Sequence, residues 1–428
     1  MDQGQKKIET RLKNKFLSVL YGNFFYAGTQ YLILVAMIKL TQPEVVGTFS
    51  FAAAITAPLS LFLALGLRQV LVHDSVGKYS MKSYFLLRVL TSVLFVFISI
   101  IIAGVFLWNQ SENFFLAVVI CLIAISKSIE VMIDLVYAVL QRNDRNDLIS
   151  RSMIIRGLLN CVFFTLSLYL SRDLRWACFG VVISSLLCAQ FYDRKQIRAF
   201  LKNEFRWSQV LNPVILKEVK ALALLALPLG FAAVLGSLEV TLPRYFLEHS
   251  VGLASLGIFS ALSYPLMLGN QFIGALATAP ATKLALFVLQ KNKSAFAKLV
   301  HQLLFIGAFI GGCMVLICFF FGTEILTFVN RAEYAAESAS FSILAAAAAL
   351  NYIAVFFGAG ISALQAFRVK FILQLIGFGS LILFCLVASA EGTLFAMSLA
   401  VLGSAAISLL TQAIAFWGML WTDSRLNR

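Results

Sequence analysis

Charged residues are scarce in this chain. Of its 428 residues only 13% are Asp, Glu, Lys or Arg, against 61% hydrophobic, which is about half the charged share a soluble globule uses to cover its surface. A soluble fold is excluded, and a mean hydropathy of +0.90 reads as an integral membrane protein. Short alternating apolar and polar segments are also lacking, which excludes a transmembrane β-barrel. The seven cysteines (Cys121, Cys161, Cys178, Cys188, Cys313, Cys318, Cys385) lie inside apolar runs, with no C-x-x-C pair and no histidine at ligand spacing. They read as small buried residues, not redox or metal centres. No G-x-x-x-x-G-K-[ST], H-E-x-x-H or G-x-S-x-G pattern is present, so P-loop ATP hydrolysis and those hydrolase chemistries are excluded. Neither an enzyme nor a cofactor is expected. The first apolar run is too long, and lacks a small-residue cleavage site, for a cleavable signal peptide.

What is present is a series of long apolar runs. Segments of about 20 apolar residues suffice to cross a bilayer, and the sequence offers twelve: 16–41, 46–72, 85–108, 114–140, 149–171, 175–192, 219–243, 252–282, 298–322, 335–364, 370–390 and 393–420. Lys and Arg are retained on the cytoplasmic side. Placing Lys6, Lys7, Arg11, Lys13 and Lys15 inside leaves only Lys39, Arg172, Arg175, Arg244 and Arg331 outside and Lys127 within the membrane. Both termini are therefore expected in the cytoplasm. The net charge of +14 follows from this topology and implies no nucleic-acid partner.

The longest polar connection runs from Asp193 to Lys220 and divides the chain into two halves of six spans. The expected organisation is a basic segment (1–15), a first lobe (16–192), a linker (193–218), a second lobe (219–420) and a tail (421–428). An internal match supports the division. Gly47-Thr48-Phe49-Ser50 precedes Pro58, and Gly257-Ile258-Phe259-Ser260, 210 residues later, precedes Pro265. Six intervening spans put both copies on the same side, as parallel repeats. In-span prolines at 58, 228, 243, 265 and 280 each remove a helical hydrogen bond, and spans two, seven and eight are candidates to flex.

One polar stripe stands out in the fourth span, FLAVVICLIAISKSIEVMIDLVYAVLQ. At about 100° per residue, Lys127, Glu130, Asp134 and Gln141 fall within a sector of about 60°, with Tyr137 at its edge. Ionisable groups at this depth cost roughly 3 kcal/mol each even on lenient insertion scales, so they call for a watery cavity or internal partners. Lys127 and Glu130 are spaced to pair along the helix, which leaves two readings open: a structural ion pair, or part of a binding stripe.

Arg68, Arg88 and Arg156 lie near span ends. Arg88 reads as an arginine that snorkels to the interface, whereas Arg68 and Arg156 together suit a basic vestibule. Glu239 and Arg244 flank Pro243 in the seventh span, and Asn23, Tyr26, Gln30 and Tyr31 form a gentler strip in the first. Within spans, Lys39, Arg68, Lys127, Arg156 and Arg244 outnumber Glu130, Asp134 and Glu239. Such a lining favours anions, phosphate oxygens above all, with the acids left to carry a coupling proton or sodium ion.

Three segments in order on this layout, GTFSFAAAITAPLSLFLALGLRQVLVHD (47–74), SKSIEVMIDLVYAVLQRNDRND (126–147) and LPLGFAAVLGSLEVTLPRYFLEHSVGLASLGIF (227–259), resemble the bacterial polysaccharide transporter family, the Wzx-type flippases of the MATE-like (MOP) exporter superfamily. The resemblance implies an all-α membrane protein with two six-helix lobes around a central cavity. It also implies alternating-access transfer of an undecaprenyl-diphosphate-linked oligosaccharide to the periplasmic leaflet, driven by an ion gradient, for surface polysaccharide synthesis. By the same resemblance Arg68, Lys127, Arg156 and Arg244 are candidates for substrate binding, and Glu130 and Asp134 for ion coupling; the polar strips read from the sequence add Asn23, Tyr26, Gln30 and Gln141 to the first set, and Glu239, as an acid within a span, to the second. Glu239 departs from the neutral polar residue of relatives, and ATAPATKLA from their run ending in Pro-Arg-Leu-Ala. The implied partners are the lipid-linked glycan, membrane lipids and glycan polymerase or assembly machinery, with the chain working as a monomer. The alternatives are an organic-cation antiporter of MATE type, for which the three acids speak, and a polytopic glycan polymerase or ligase, which would carry a larger outer loop.

Overall fold

The computed structural model describes residues 3–74, 77–109, 114–200, 212–278 and 280–422, with side chains described throughout except at 3–20, 109, 199–200, 282, 332 and 422. The side chains of the expected basic segment 1–15, the middle of the linker (201–211) and the tail from 423 lie outside the described residues. No strand occurs among those described. In chain order the helices are α1 (Gln3–Leu40), α2 (Pro43–Ala64), α3 (Leu67–His73), α4 (Met81–Asn109), α5 (Phe114–Arg142), α6 (Asn146–Ser171) and α7 (Leu174–Leu187). A π-helical segment (Cys188–Asp193), α8 (Arg194–Phe200) and α9 (Pro213–Val251) follow. The remainder are α10 (Leu253–Thr278), α11 (Ala281–Leu289), α12 (Lys293–Val329), α13 (Ala332–Ala335), α14 (Ser338–Ala363), α15 (Phe367–Glu391) and α16 (Leu394–Thr422).

The chain is an all-helical membrane protein. Among the described residues, 11 helical stretches are long and apolar enough to cross a bilayer. The expected first span falls in α1, which is not among them. The part of α1 whose side chains are described begins at Tyr21 and includes Asn23, Tyr26, Gln30 and Tyr31, which dilute its apolar character.

Two compact units are formed, one by Met1–Thr41 and Thr48–Thr241, the other by Gln42–Gly47 and Leu242–Arg428. This division differs from the one at the linker, because the first part of α9 packs into the first unit. Ile215, Val219, Leu222 and Ala226 of α9 join Leu65, Leu67, Leu71, Tyr84, Leu87, Leu135, Ala138 and Val139 in one buried cluster. Glu218 adds a polar clamp: its Oε2 accepts from the Ser80 amide at 3.1 Å and from the Ser80 and Ser83 hydroxyls at 2.7 and 2.6 Å. The carboxylate thereby satisfies amide and hydroxyl donors where α4 begins.

Within the first unit α1 packs on α6, α4 on α5, and α7 on both α5 and α6. Small residues permit the approach: Gly22 lies against Ser150, and Gly157 against Thr29, the pattern by which membrane helices gain contact without a hydrophobic drive. In the second unit α14 packs on α10, α12 and α16, again through glycine, with Gly311 against Ala349 and Gly360 against Phe416.

The second span is not one helix. Pro58 sits inside an unbroken α2. The break comes later, at Leu65 and Gly66, whose φ values are +53° and +56°. Glycine takes this left-handed conformation readily; leucine does so at a cost of roughly 1–2 kcal/mol. Burial of the Leu65 side chain, 4% exposed, opposes that cost. The chain then restarts as α3, redirected, with Arg68 in its first turn.

Candidate functional site

The helix break determines what surrounds Asp134. Restarting at Leu67 brings Arg68 to α5, where its Nη1 donates to Asp134 Oδ1 at 3.1 Å and its Nε to Gln141 Oε1 at 3.0 Å. The carbonyl of Ala64, at the end of α2, accepts from Arg88 Nη1 at 2.9 Å. Arg88 Nη2 lies 3.9 Å from Asp134 Oδ2. Two guanidinium groups therefore share one carboxylate, and Arg88 has no exposed side-chain surface. Its Nε and Nη2 are buried without a hydrogen-bond partner among the described residues. The expectation that Arg88 snorkels is incorrect, because the freed Ala64 carbonyl and Asp134 hold it inside.

The rest of the α5 stripe forms a second group. Lys127 Nζ donates to Glu130 Oε2 at 2.8 Å, and Tyr26 of α1 donates its hydroxyl to Glu130 Oε1 at 2.7 Å. Lys127 and Glu130 do pair along the helix, and Tyr26 ties the pair to α1. Lys127 keeps 42% side-chain exposure and Glu130 22%.

A third group is more deeply buried. Arg156 Nη2 donates to Asp193 Oδ2 at 2.7 Å, with side chains only 5% and 2% exposed. Ser152 donates to Asp193 Oδ1 at 2.6 Å and shares a 2.8 Å hydrogen bond with the Tyr137 hydroxyl. Arg156 does not sit in an open vestibule. The π-helical turn ending at Asp193 carries that residue into the unit, in keeping with the functional sites at which such turns recur. Tyr137 joins the groups, with the guanidinium carbons of Arg68 and Arg156 each 5.7 Å from its ring centroid, within cation–π range.

The structure thus brings together Arg68, Gln141 and Asp134, then Tyr26, Lys127 and Glu130, with Arg156 linked through Tyr137. Asn23 is exposed, and Gln30 and Glu239 are half-buried. Arg244 lies in the second unit, where its Nη2 is 3.8 Å from Met267 Sδ and its Nε is buried without a partner among the described residues. Sequence reasoning missed Arg88 and Asp193. Asp134's need for a partner pointed to the first. The second was hidden by its place at the head of a charged run.

No group of three or more metal-ligating side chains occurs among the described residues. Across the first three groups Arg68, Arg88, Lys127 and Arg156 face Glu130, Asp134 and Asp193, so the surplus is positive and centres on the two arginines at Asp134.

Comparison with known proteins fits this picture. Residues 12–281, more than half of the chain, match the family model described as polysaccharide biosynthesis protein. The capsular polysaccharide biosynthesis protein CapF of Staphylococcus aureus is 28% identical over 371 residues, covering 87% of this chain and 89% of CapF. Among solved structures, the lipid II flippase MurJ in an inward closed conformation superposes with a TM-score of 0.69 at 16% identity, covering 92% of this chain and 86% of that one. A MOP superfamily transporter from Pyrococcus furiosus gives 0.67 at 14% identity, covering 98% and 96%. A MATE transporter from Vibrio cholerae gives 0.65 at 12% identity over the full length of both chains. The fold is that of the MATE-like MOP transporters.

Proposed function

This chain belongs to the polysaccharide biosynthesis protein family, and from that membership we propose that it is a transporter rather than an enzyme. Its cargo is a lipid-linked, diphosphate-bearing oligosaccharide, carried across the bacterial cytoplasmic membrane to its outer leaflet by alternating access. The observation that supports this reading is the pair of guanidinium groups, Arg68 and Arg88, at the single carboxylate Asp134. Uncompensated positive charge in a membrane is expensive and marks a pathway or an anionic ligand. A diphosphate offers the oxygens that guanidinium groups bind best. Gln141 extends the polar surface beside Arg68. Arg244 of the second unit, whose Nε is buried without a hydrogen-bond partner among the described residues, is a separate candidate for contact with the cargo. Glu130, Asp134 and Glu239 are the candidates for coupling to a proton or sodium gradient. Both termini face the cytoplasm in this reading, and the glycan assembly machinery receives the product.

The test is complementation in a strain lacking the gene, scoring surface glycan while membrane insertion is followed by immunoblot. Arg68→Ala, Arg156→Ala and Arg244→Ala should each abolish surface glycan in inserted protein. Full complementation by all three would overturn the proposal. Resistance to organic cations on overexpression, with no glycan phenotype, would assign the chain to cation efflux.

A further inference from the structure

On the side of α3 away from Asp134 lies a pocket that the groups above do not use. Arg68 points to α5, while Gln69 and His73, four residues apart and so on one helical face, line a cavity of about 540 Å³. This lies in the range of small-molecule sites. The cavity belongs wholly to the first unit.

Its walls are of two kinds. The polar rim is made by His73, at the end of α3, and Lys78, in the loop before α4. The wall beyond is apolar, made by Leu225, Pro228 and Leu229 of α9 with the ring of Tyr79. Leu225 and Leu229 remain 52% and 37% exposed, so apolar surface stays open inside the cavity. Pro228 has no N–H, and the carbonyl of Leu224 therefore loses its usual helical donor.

The charges of the rim select the ligand. Asp74, the one nearby acid of the lining, already accepts from the Lys78 amide at 2.9 Å, the Tyr79 amide at 3.3 Å and the Tyr84 hydroxyl at 3.3 Å. Arg142 lies close enough for its charge to act on both Asp74 and Tyr84. With that carboxylate engaged by the loop, the basic groups at the rim are His73 and Lys78, the latter with its Nζ 5.5 Å from the Tyr79 ring centroid, backed by Arg142. The His73 Nδ1 is 2.8 Å from the Gln69 carbonyl, which leaves Nε2 for a ligand.

We infer that this cavity binds an amphiphile with a phosphate head, its phosphate on His73 and Lys78 at the ends of the α3 and α4 spans and its apolar chain along Leu225 and Leu229 of α9. A cation-rimmed, apolar-walled slot at a membrane boundary matches such a molecule in both halves. Two sources share that chemistry: a phospholipid of the bilayer and a prenyl phosphate.

The experiment uses the purified full-length chain in mild detergent and three probes: dioctanoyl phosphatidylglycerol, farnesyl diphosphate and dioctanoylglycerol, which lacks phosphate. Native mass spectrometry reads occupancy against concentration. At least one phosphate-bearing probe should bind and dioctanoylglycerol should not. Combining His73→Ala with Lys78→Ala should weaken binding about tenfold, the loss of a charge-assisted contact. Preference for phosphatidylglycerol identifies the bilayer as the source, and preference for farnesyl diphosphate identifies a prenyl carrier. Leu225→Trp, which fills the cavity and leaves both cations in place, should also remove binding and serves if the double variant does not fold. The inference fails if no phosphate probe binds, if dioctanoylglycerol binds equally, or if the variants bind unchanged.

Discussion

Gly47 and Gly257 meet backbone to backbone within the first two turns of α2 and α10. A β-carbon on Gly47 would strike the carbonyl of Leu253, and one on Gly257 would strike the carbonyl of Pro43. Each obstructing carbonyl lies four residues before the other glycine, so the contact is reciprocal. Gly47→Ala and Gly257→Ala should each lower thermal stability in detergent, by about 1–3 kcal/mol as overpacking does. Gly104, with nothing within 4 Å of its β-position, is the control, and Gly104→Ala should be neutral or slightly stabilising. Equal melting temperatures for all three variants would contradict the reciprocal contact.

Arg156 and Asp193 form a buried pair whose halves are costly alone. Arg156→Met or Asp193→Leu should each destabilise by about 3–5 kcal/mol, because the remaining charge is stranded. The double variant should be less destabilised than the sum of the singles, with a coupling of about 1–3 kcal/mol. Chemical denaturation of the four proteins closes the cycle; strict additivity would mean that the pair does not form.

Lys127 is held by Glu130, which itself is held by Tyr26. Lys127→Ala should therefore impair glycan export less than Arg68→Ala, and Lys127→Ala combined with Glu130→Gln should export better than Glu130→Gln alone, where the ammonium no longer faces the Glu130 carboxylate. Quantifying surface glycan at matched protein levels separates these outcomes. A null phenotype for Lys127→Ala alone, equal to that of Arg68→Ala, would return the lysine to the substrate.

Asp74 carries a pH dependence. Burial raises its carboxyl, but the amides of Lys78 and Tyr79, with the Tyr84 hydroxyl, outweigh this and hold it below the usual range. A carboxyl depressed on folding stabilises above its unfolded value of about 3.9 and loses that contribution as pH falls through the lower folded value. Melting temperature should thus decline with acid below about pH 4 more steeply in the parent than in Asp74→Asn. Parallel acid limbs would refute the assignment.

Gly66 should resist substitution for two reasons. Its φ is +56°, and a β-carbon would lie 3.1 Å from the Leu229 β-carbon. Gly66→Ala should cost about 1–2 kcal/mol and, by shifting α3, reduce export along with stability. Gly392→Ala, at φ +61° with only a 3.9 Å neighbour, should cost the backbone penalty and leave export intact.

Much of this molecule was legible in its sequence. Apolar runs reveal spans directly, since a bilayer imposes their length, and the three-residue spacing made the Lys127–Glu130 pairing readable, whereas the division of the α5 stripe into two groups was not. The Gly47 and Gly257 match was visible as a repeat, but their mutual close approach was not, because a four-residue identity does not say which backbones meet. Other features were not readable. Pro58 marked the second span as a candidate to flex, yet α2 runs through it unbroken, whereas the left-handed pair at Leu65 and Gly66 depends on a buried leucine no local rule identifies. Arg88 looked interfacial because position along a span does not say which way a long side chain turns. Its direction was set by a carbonyl that only the break exposes.

The clamp between Glu218 and the start of α4 gives the linker a different character. Phe200 and Asn212, which bracket it, both belong to the first unit, and α9 is already anchored there by Glu218 before it reaches Leu242. Residues 201–211 therefore begin and end on the same body. A protease cut in that segment, or expression of the chain as two polypeptides divided there, would leave α9 docked on α3 and α4 by buried side chains and a shared carboxylate.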